Sequence, residues 1–171
     1  MKRLRRLMWG ARNRLLQHLA RIMPGATSFR VWCHRRRGMR IGAGAFIGYD
    51  VVLETEYPEC IWIGNGVEIN LRATLIGHFH GIEIKSKGPG LENVSIKLED
   101  NAFIGPGVIV LPNVVIGQGA AVTAGSVVTR NVPPMTLVQG NPAVPVAKLG
   151  IPLAGPGTYK EFLKMLKPYR P

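Results

Sequence analysis

Between residues 98 and 128 an aliphatic side chain returns at every sixth place: Leu98, Ile104, Val110, Ile116, Val122 and Val128. An amphipathic helix repeats every 3.6 residues and a strand every two, so neither element alone accounts for the pattern. Two shorter runs keep the same step, Ile41, Ile47, Leu53 and Ile63, Ile69, Leu75. Glycine follows the aliphatic residue at 42, 48, 64, 105 and 117, and small residues recur at Ala45, Ala73, Ala102, Ala120 and Ser126. The pattern predicts a coil with three flat sides, six residues to a side. Each aliphatic residue points inward and stacks on the residue eighteen later, about 4.8 Å above it. Glycine and small residues suit the corners, where the backbone turns sharply. No single coil buries its own apolar face, but a stack of them does.

Charge divides the chain differently. The net charge is +12 over 171 residues. Residues 1–40 hold twelve Lys or Arg and no Asp or Glu, whereas residues 41–171 hold ten basic and ten acidic residues. A basic arm is therefore joined to a neutral body. The arm begins with "MKRLRRLMWGARNRLLQHLARIM", in which Leu4, Met8, Ala11, Leu15, Leu19 and Ile22 make one apolar stripe. Arg5, Arg6, Arg12, Arg14 and Arg21 lie mostly off it, Pro24-Gly25 ends the helix, and "HRRRGMR" (34–40) follows. Three readings apply: a helix in the interface of an anionic membrane, a helix docked on the body or a neighbouring subunit, or a nucleic-acid-binding arm. The last is set aside because the arm has few aromatics for base stacking and no binding motif. His18 and His34 read as surface or packing residues.

No run of eighteen apolar residues occurs, so no membrane-spanning helix is expected. Arginines interrupt every apolar stretch near the start, which argues against a secretory signal. Cys33 and Cys60 have no metal or disulfide spacing and read as packing thiols of a reducing, cytoplasmic compartment. The tail "GTYKEFLKMLKPYRP" predicts a short helix with capping-box spacing at Thr158 and Glu161, a face of Phe162, Met165 and Leu166, and a stop at Pro168. Its expected task is to cover an open end of the column. The domain reading is 1–40 arm, 41–148 repeat body and 149–171 capping tail.

The places where the count fails are the candidates for chemistry. Leu53 to Ile63 takes ten residues, which makes "ETEYPECIW" an irregular corner. Leu75 to Leu98 takes twenty-three, five more than one coil of eighteen, and the excess predicts a protruding loop. That segment opens with His78 and His80. Histidine titrates near neutrality, with an ordinary pKa of about 6.5, which suits a general base. On one extended segment the two would face the same way, so the sequence leaves the choice between them open.

The stretch "NAFIGPGVIVLPNVVIGQGAAVTAGSVVTRNVPPMTLVQGNPAVPV" (101–146) resembles the hexapeptide-repeat acyltransferases, and the resemblance covers about residues 40–148. Its ending "GSVVTRNVPP…GNPA" is similar to the sugar O-acetyltransferase branch, typified by the maltose and galactoside enzymes. The resemblance implies an all-β fold, a left-handed parallel β-helix, a hand opposite to the usual parallel crossover. It also implies a homotrimer with acetyl-CoA in a groove between adjacent subunits. "TLIGH" maps the family's catalytic position onto His78, with His80 in reserve. Pro106 and Ala124 map near the pantetheine arm, and Thr129 and Arg130 near the nucleotide end. Arginines that often follow "GNPA" are replaced here by Val144 and Ala147, leaving Lys148 as a substitute. Pro106 has no N–H to offer a thioester oxygen. Asn70 is a candidate for a sugar hydroxyl, and Glu68 for a partner of the imidazole.

The function expected is acetyl-CoA-dependent O-acetylation of a sugar hydroxyl, in envelope, exopolysaccharide or lipopolysaccharide synthesis, by an enzyme in the cytoplasm or on the inner face of the membrane. The other classes considered are a non-catalytic β-helix scaffold and a zinc-dependent hydratase of a related family. For the latter, only two histidines occur in the body where three ligands are usual, so no metal site is assigned.

Overall fold

The computed structural model describes residues 2–170 apart from positions 82 and 156, with side chains from residue 7 onward. Strands β1 (Arg40–Ile41), β2 (Phe46–Ile47) and β3 (Val52–Leu53) form the first coil. β4 (Ile61–Ile63), β5 (Glu68–Ile69) and β6 (Thr74–Leu75) form the second. β7 (Ile96–Leu98), β8 (Phe103–Ile104) and β9 (Ile109–Val110) form the third, and β10 (Val115–Ile116), β11 (Ala121–Val122) and β12 (Val127–Val128) the fourth. Like strands stack in parallel into three walls: wall A is β1-β4-β7-β10, wall B contains β2-β5-β8-β11, and wall C is β3-β6-β9-β12. The fold is a left-handed parallel β-helix.

The six-residue count becomes the core. Eleven of the twelve counted aliphatic residues are buried, and Ile41, at the open end, is half-buried. Ile47, Ile69, Ile104 and Val122 stack in register along wall B. Close stacking also explains a corner glycine: a Cβ on Gly105 would stand 2.7 Å from the carbonyl oxygen of Val122 on the next coil.

The stacking step is not uniformly eighteen. Leu98 pairs with Ile116 at that step, but Leu53 pairs with Leu75 after twenty-two residues and Leu75 with Val110 after thirty-five. The passage from Leu75 to Leu98 is one wall-to-wall step carrying an inserted loop, not a full coil with five residues to spare. A side chain that must land on a given wall tolerates extra chain only at a corner. Both insertions, after Leu53 and after Leu75, leave wall C for wall A, so they protrude from the same corner on adjacent coils.

The arm is a structural cap as well as a charged segment. α1 (Lys2–Ile22) is the expected helix, and α2 (Phe29–Arg36) is an unexpected second one. α2 closes the open end of the column, with Val31 and Met39 joining the main core. The first coil has no coil below it, so its strand carbonyls need other donors. Arg35 donates to the carbonyl of Ile41, Arg30 Nη1 to that of Ile47 at 2.8 Å, and Arg37 Nη2 to that of Leu53 at 3.1 Å. One arginine thus serves each wall. Arg37 is 1% exposed and also donates to the carbonyl of Glu54, to Asn13 Oδ1 and to His34 Nδ1. Burial, reinforced by Arg37, pushes the His34 imidazole down to about 3, so it remains a neutral acceptor.

α1 packs against α2 and the body with Asn13, Leu16, Gln17 and Ala20 buried. Met8, Ala11, Leu15 and Ile22 of the expected stripe are exposed, and Leu19 is half-buried. The side chains of Leu4, Arg5 and Arg6 lie outside the described residues.

At the other end β13 (Thr136–Gly140) continues wall B, and β14 (Ala143–Lys148) turns back antiparallel to it. β15 (Lys167–Pro168) pairs with β14. α3 (Tyr159–Lys164) has the expected capping box at Thr158 and Glu161. Its Phe162 packs with Leu149 and Ala121 on the outer face of wall B, joined by Phe103 and Leu137. The tail therefore covers a side wall rather than the column's end. Outward-facing Phe103 and Leu137 make that wall apolar, which is why the tail settles there.

Arg37→Met leaves four buried acceptors without their donor. The expected cost is about 3–5 kcal/mol, measured by urea unfolding. A loss below about 1 kcal/mol would show that the carbonyl edge is satisfied in another way.

Candidate active site

The shared corner between walls C and A brings together residues far apart in sequence. Glu54 follows β3 and His78 follows β6, and the two coils stack. His78 Nδ1 lies 3.0 Å from Glu54 Oε2, with its N–H turned off the direct line. Such slack is common in a catalytic contact before substrate binds. His78 Nε2 lies on the side of Glu56, 3.7 Å from its Oε2, and the Glu56 side chain is 68% exposed. The Tyr57 ring meets the imidazole edge-on, with centroids 4.8 Å apart.

Glu54 is 4% exposed, and its carboxylate is held by backbone. Oε1 accepts from the N–H of Glu56 at 2.8 Å and of Tyr57 at 3.4 Å, and Oε2 accepts from the N–H of Gly77 at 2.8 Å. Burial alone raises the pKa of such a group. Here the N–H of Glu56, the neighbouring His78 and the N–H of Tyr57 outweigh it and hold the carboxyl below its usual range. Gly77 makes the approach possible: a Cβ there would overlap Cys60 Sγ and stand 2.9 Å from Oε2.

A buried carboxylate facing Nδ1 fixes the imidazole's tautomer. An ionised oxygen only accepts, so the proton belongs on Nδ1 and the lone pair on Nε2, toward solvent. The corner thus presents an oriented base. Cys60, beneath Gly77, is no rival nucleophile, because burial first and the charges of Glu54 and Glu59 next push its thiol up to about 12.

The corner's loop is fastened on two sides. Asn113 Oδ1 accepts from the N–H of Lys85 at 2.7 Å, and its Nδ2 donates to the carbonyl of Glu83 at 2.9 Å. Arg40 Nη1 donates to the carbonyl of Gly90.

The other sequence candidates scatter. His80 is exposed, two residues beyond the carboxylate contact. Glu68 sits on wall B beside Phe46 and Phe103, away from His78; the imidazole's partner is Glu54, because a corner residue meets the corner one coil away rather than a mid-wall residue of its own coil. Asn70 belongs to the same coil as His78, at the corner between walls B and C. Its Nδ2 is spent on the carbonyl of Ile104 at 3.1 Å. Pro106 and Ala124 stack at that same corner, where the Pro106 carbonyl accepts from the N–H of Gly125. Thr129 and Arg130 are exposed at the His78 corner, two coils further along.

Lys148 ends β14 opposite Thr136, with Nζ donating to Thr136 Oγ1 at 3.0 Å. Its register partner is Lys167, and with Arg170 they line a basic cleft of about 400 Å³. Sequence reasoning missed Lys167 and Arg170, since only the pairing of β14 with β15 brings them near. Glu54 was within reach of the sequence, because the two failures of the count follow the same wall one coil apart. Among the described residues no group of three His, Cys, Asp or Glu is arranged to hold a metal ion.

Residues 95–130 match the model of the bacterial transferase hexapeptide, six repeats. This stretch of the chain carries the hexapeptide repeat of that family. A galactoside O-acetyltransferase of Lactococcus lactis is 28% identical over 114 residues, 66% of this chain and 54% of its own. A Schizosaccharomyces pombe protein named as an acetyltransferase is 43% identical over 90 residues, 52% of this chain and 44% of its own. This hexapeptide-repeat chain thus spans about half the length of these curated relatives. Among solved structures, a hexapeptide-repeat acetyltransferase of Vibrio cholerae superposes with a TM-score of 0.66 at 24% identity, covering 84% of this chain and 92% of that one. The same Vibrio protein has been solved in complex with acetyl coenzyme A.

Because Glu54 has a folded pKa below its unfolded one, the stability it contributes is present above the ordinary carboxylate pKa of about 4.3 and is lost as pH falls through the folded value. Urea unfolding of wild type and Glu54→Gln should therefore differ most near neutrality and converge in acid. A gap that is constant with pH would contradict the assignment.

Proposed function

We propose that this protein transfers an acetyl group from acetyl-CoA to a hydroxyl of a sugar, with His78 as the base. The observation that carries the reading is the His78–Glu54 pair, an imidazole oriented by a buried carboxylate at a corner open to solvent. Burying a carboxylate is costly and needs compensation, and a scaffold has no use for one aimed at a half-exposed histidine. The L. lactis relative's galactoside acceptor and the Vibrio relative's acetyl-CoA support the choice of substrates.

In this reading the acceptor hydroxyl gives its proton to Nε2 of His78 as its oxygen attacks the thioester carbonyl. The carbon–sulfur bond breaks, and the sulfur leaves as thiolate, taking the proton from the imidazolium to become the free thiol of coenzyme A. The products are the acetyl ester and coenzyme A. Glu54 stabilises the imidazolium while it exists, which is an electrostatic contribution made mainly in the transition state. Transfer is direct, since the thiol at this corner, Cys60, stays protonated.

The donor is expected in a groove between adjacent subunits of a trimer. Pro106 and Ala124 of one chain stand at the opposite edge of wall C from its own His78, an arrangement suited to a site completed by a neighbour. Arg130 and the cleft of Lys148, Lys167 and Arg170 offer cations for the donor's phosphates. Acceptors of envelope or exported polysaccharide fit the sugar branch the sequence resembles.

The test is release of free thiol from acetyl-CoA in the presence of a sugar panel. His78→Ala should lower turnover by about 10²–10⁴-fold, and His80→Ala by less than about threefold. Full turnover by His78→Ala would overturn the reading.

A further inference from the structure

α1 is packed the wrong way round for a helix that only serves the body. A docked amphipathic helix buries its most apolar stripe, yet the face of α1 against the protein is Asn13, Leu16, Gln17 and Ala20. The opposite face carries its larger apolar residues: Leu7 is 64% exposed, Met8 65%, Leu15 59% and Ile22 56%. At 100° per residue, Met8, Ala11, Leu15 and Ile22 fall within one stripe, while Arg12 and Arg14 flank it on its two sides. Leucines between paired arginines are the arrangement of a helix lying in a lipid interface, its apolar edge among acyl chains and its guanidinium groups snorkelling to phosphates.

Charge selects the surface. Residues 1–40 hold no acidic residue. Of the arginines of α1 whose side chains are described, Arg21 pairs with Asp50, and Arg12 and Arg14 stand exposed beside the stripe. No helix among the described residues is long and apolar enough to cross a membrane.

We propose that the outer face of α1 is a docking surface for an anionic lipid bilayer. The site corner would sit close to that surface, since Asn13 Nδ2 donates to the carbonyl of Thr55 at 2.6 Å, and Trp9, Gly10, Asn13 and Arg14 share a cleft with Glu56 and Tyr57. The inference does not depend on the acyl-transfer reading.

The experiment is sedimentation of the full chain with vesicles of phosphatidylcholine alone or with one-third phosphatidylglycerol. Wild type should pellet with the anionic vesicles and not with the neutral ones, and should be released by raised salt. Replacing Arg12 and Arg14 by Gln should lower the partition coefficient by about 30-fold, and Leu15→Ser with Ile22→Ser by about tenfold or more. These exposed positions lie outside the core, and circular dichroism checks that the variants fold. Equal recovery with both vesicle types, or binding indifferent to both pairs of substitutions, overturns the proposal. So does an absence of binding coupled with a smaller assembly by light scattering for the Leu15/Ile22 variant, which would assign the stripe to a second copy of the chain.

Discussion

The constraint on which everything else depends is the obligation of each inward side chain to meet the one above it. Ile47, Ile69, Ile104 and Val122 hold one line of the column, and each is worth roughly 1.5–3 kcal/mol of burial. Slipping the chain by one residue would turn an aliphatic side chain outward on every later wall. Extra residues are therefore admitted only where the backbone is already turning. Inserting twice after wall C, on coils that stack, places two irregular corners in contact. Glu54 and His78 come from these corners, and the geometry of the pair follows from the packing of the column rather than from any local motif.

The same column creates a second problem at its first coil, whose carbonyls face no preceding strand. α2 solves it with Arg30, Arg35 and Arg37, one for each wall. Guanidinium groups suit this place because several donors in a fixed plane can reach carbonyls that are not aligned with one another. Arg37 links this cap to the site corner, since it binds the carbonyls of both Leu53 and Glu54 while taking Asn13 of α1 as a further partner. Arm, cap and corner are thus continuous through one buried side chain.

Much of this was legible in the sequence and some was not, for reasons that are physical. The aliphatic step named the walls, and the failure at Leu75 pointed to His78 and His80 because a repeat announces its own interruptions; the resemblance of "TLIGH" then favoured His78. Glu54 was overlooked because the interruption after Leu53 looked like a bare corner until the stacking step of twenty-two residues set it against Gly77 and His78. The roles of Arg30 and Arg37 were hidden because a run of arginines looks alike whether solvated or capping a sheet. The apolar stripe of α1 was visible from its spacing, but only the packing reveals that it faces away from the protein. The tail's capping box was a local signal and held. Its resting place on wall B depended on outward-facing Phe103 and Leu137, which no local pattern singles out.

The central claim is that a carboxylate delivered by one corner fixes the imidazole delivered by the next. Nitrogen-15 correlation spectra of the His78 ring, at a pH where the ring is neutral, report which nitrogen carries the proton. The account predicts the Nδ1–H form in the wild type and a mixture of the two tautomers in Glu54→Gln. A proton on Nε2 in the wild type, or a spectrum unchanged by the substitution, would contradict it.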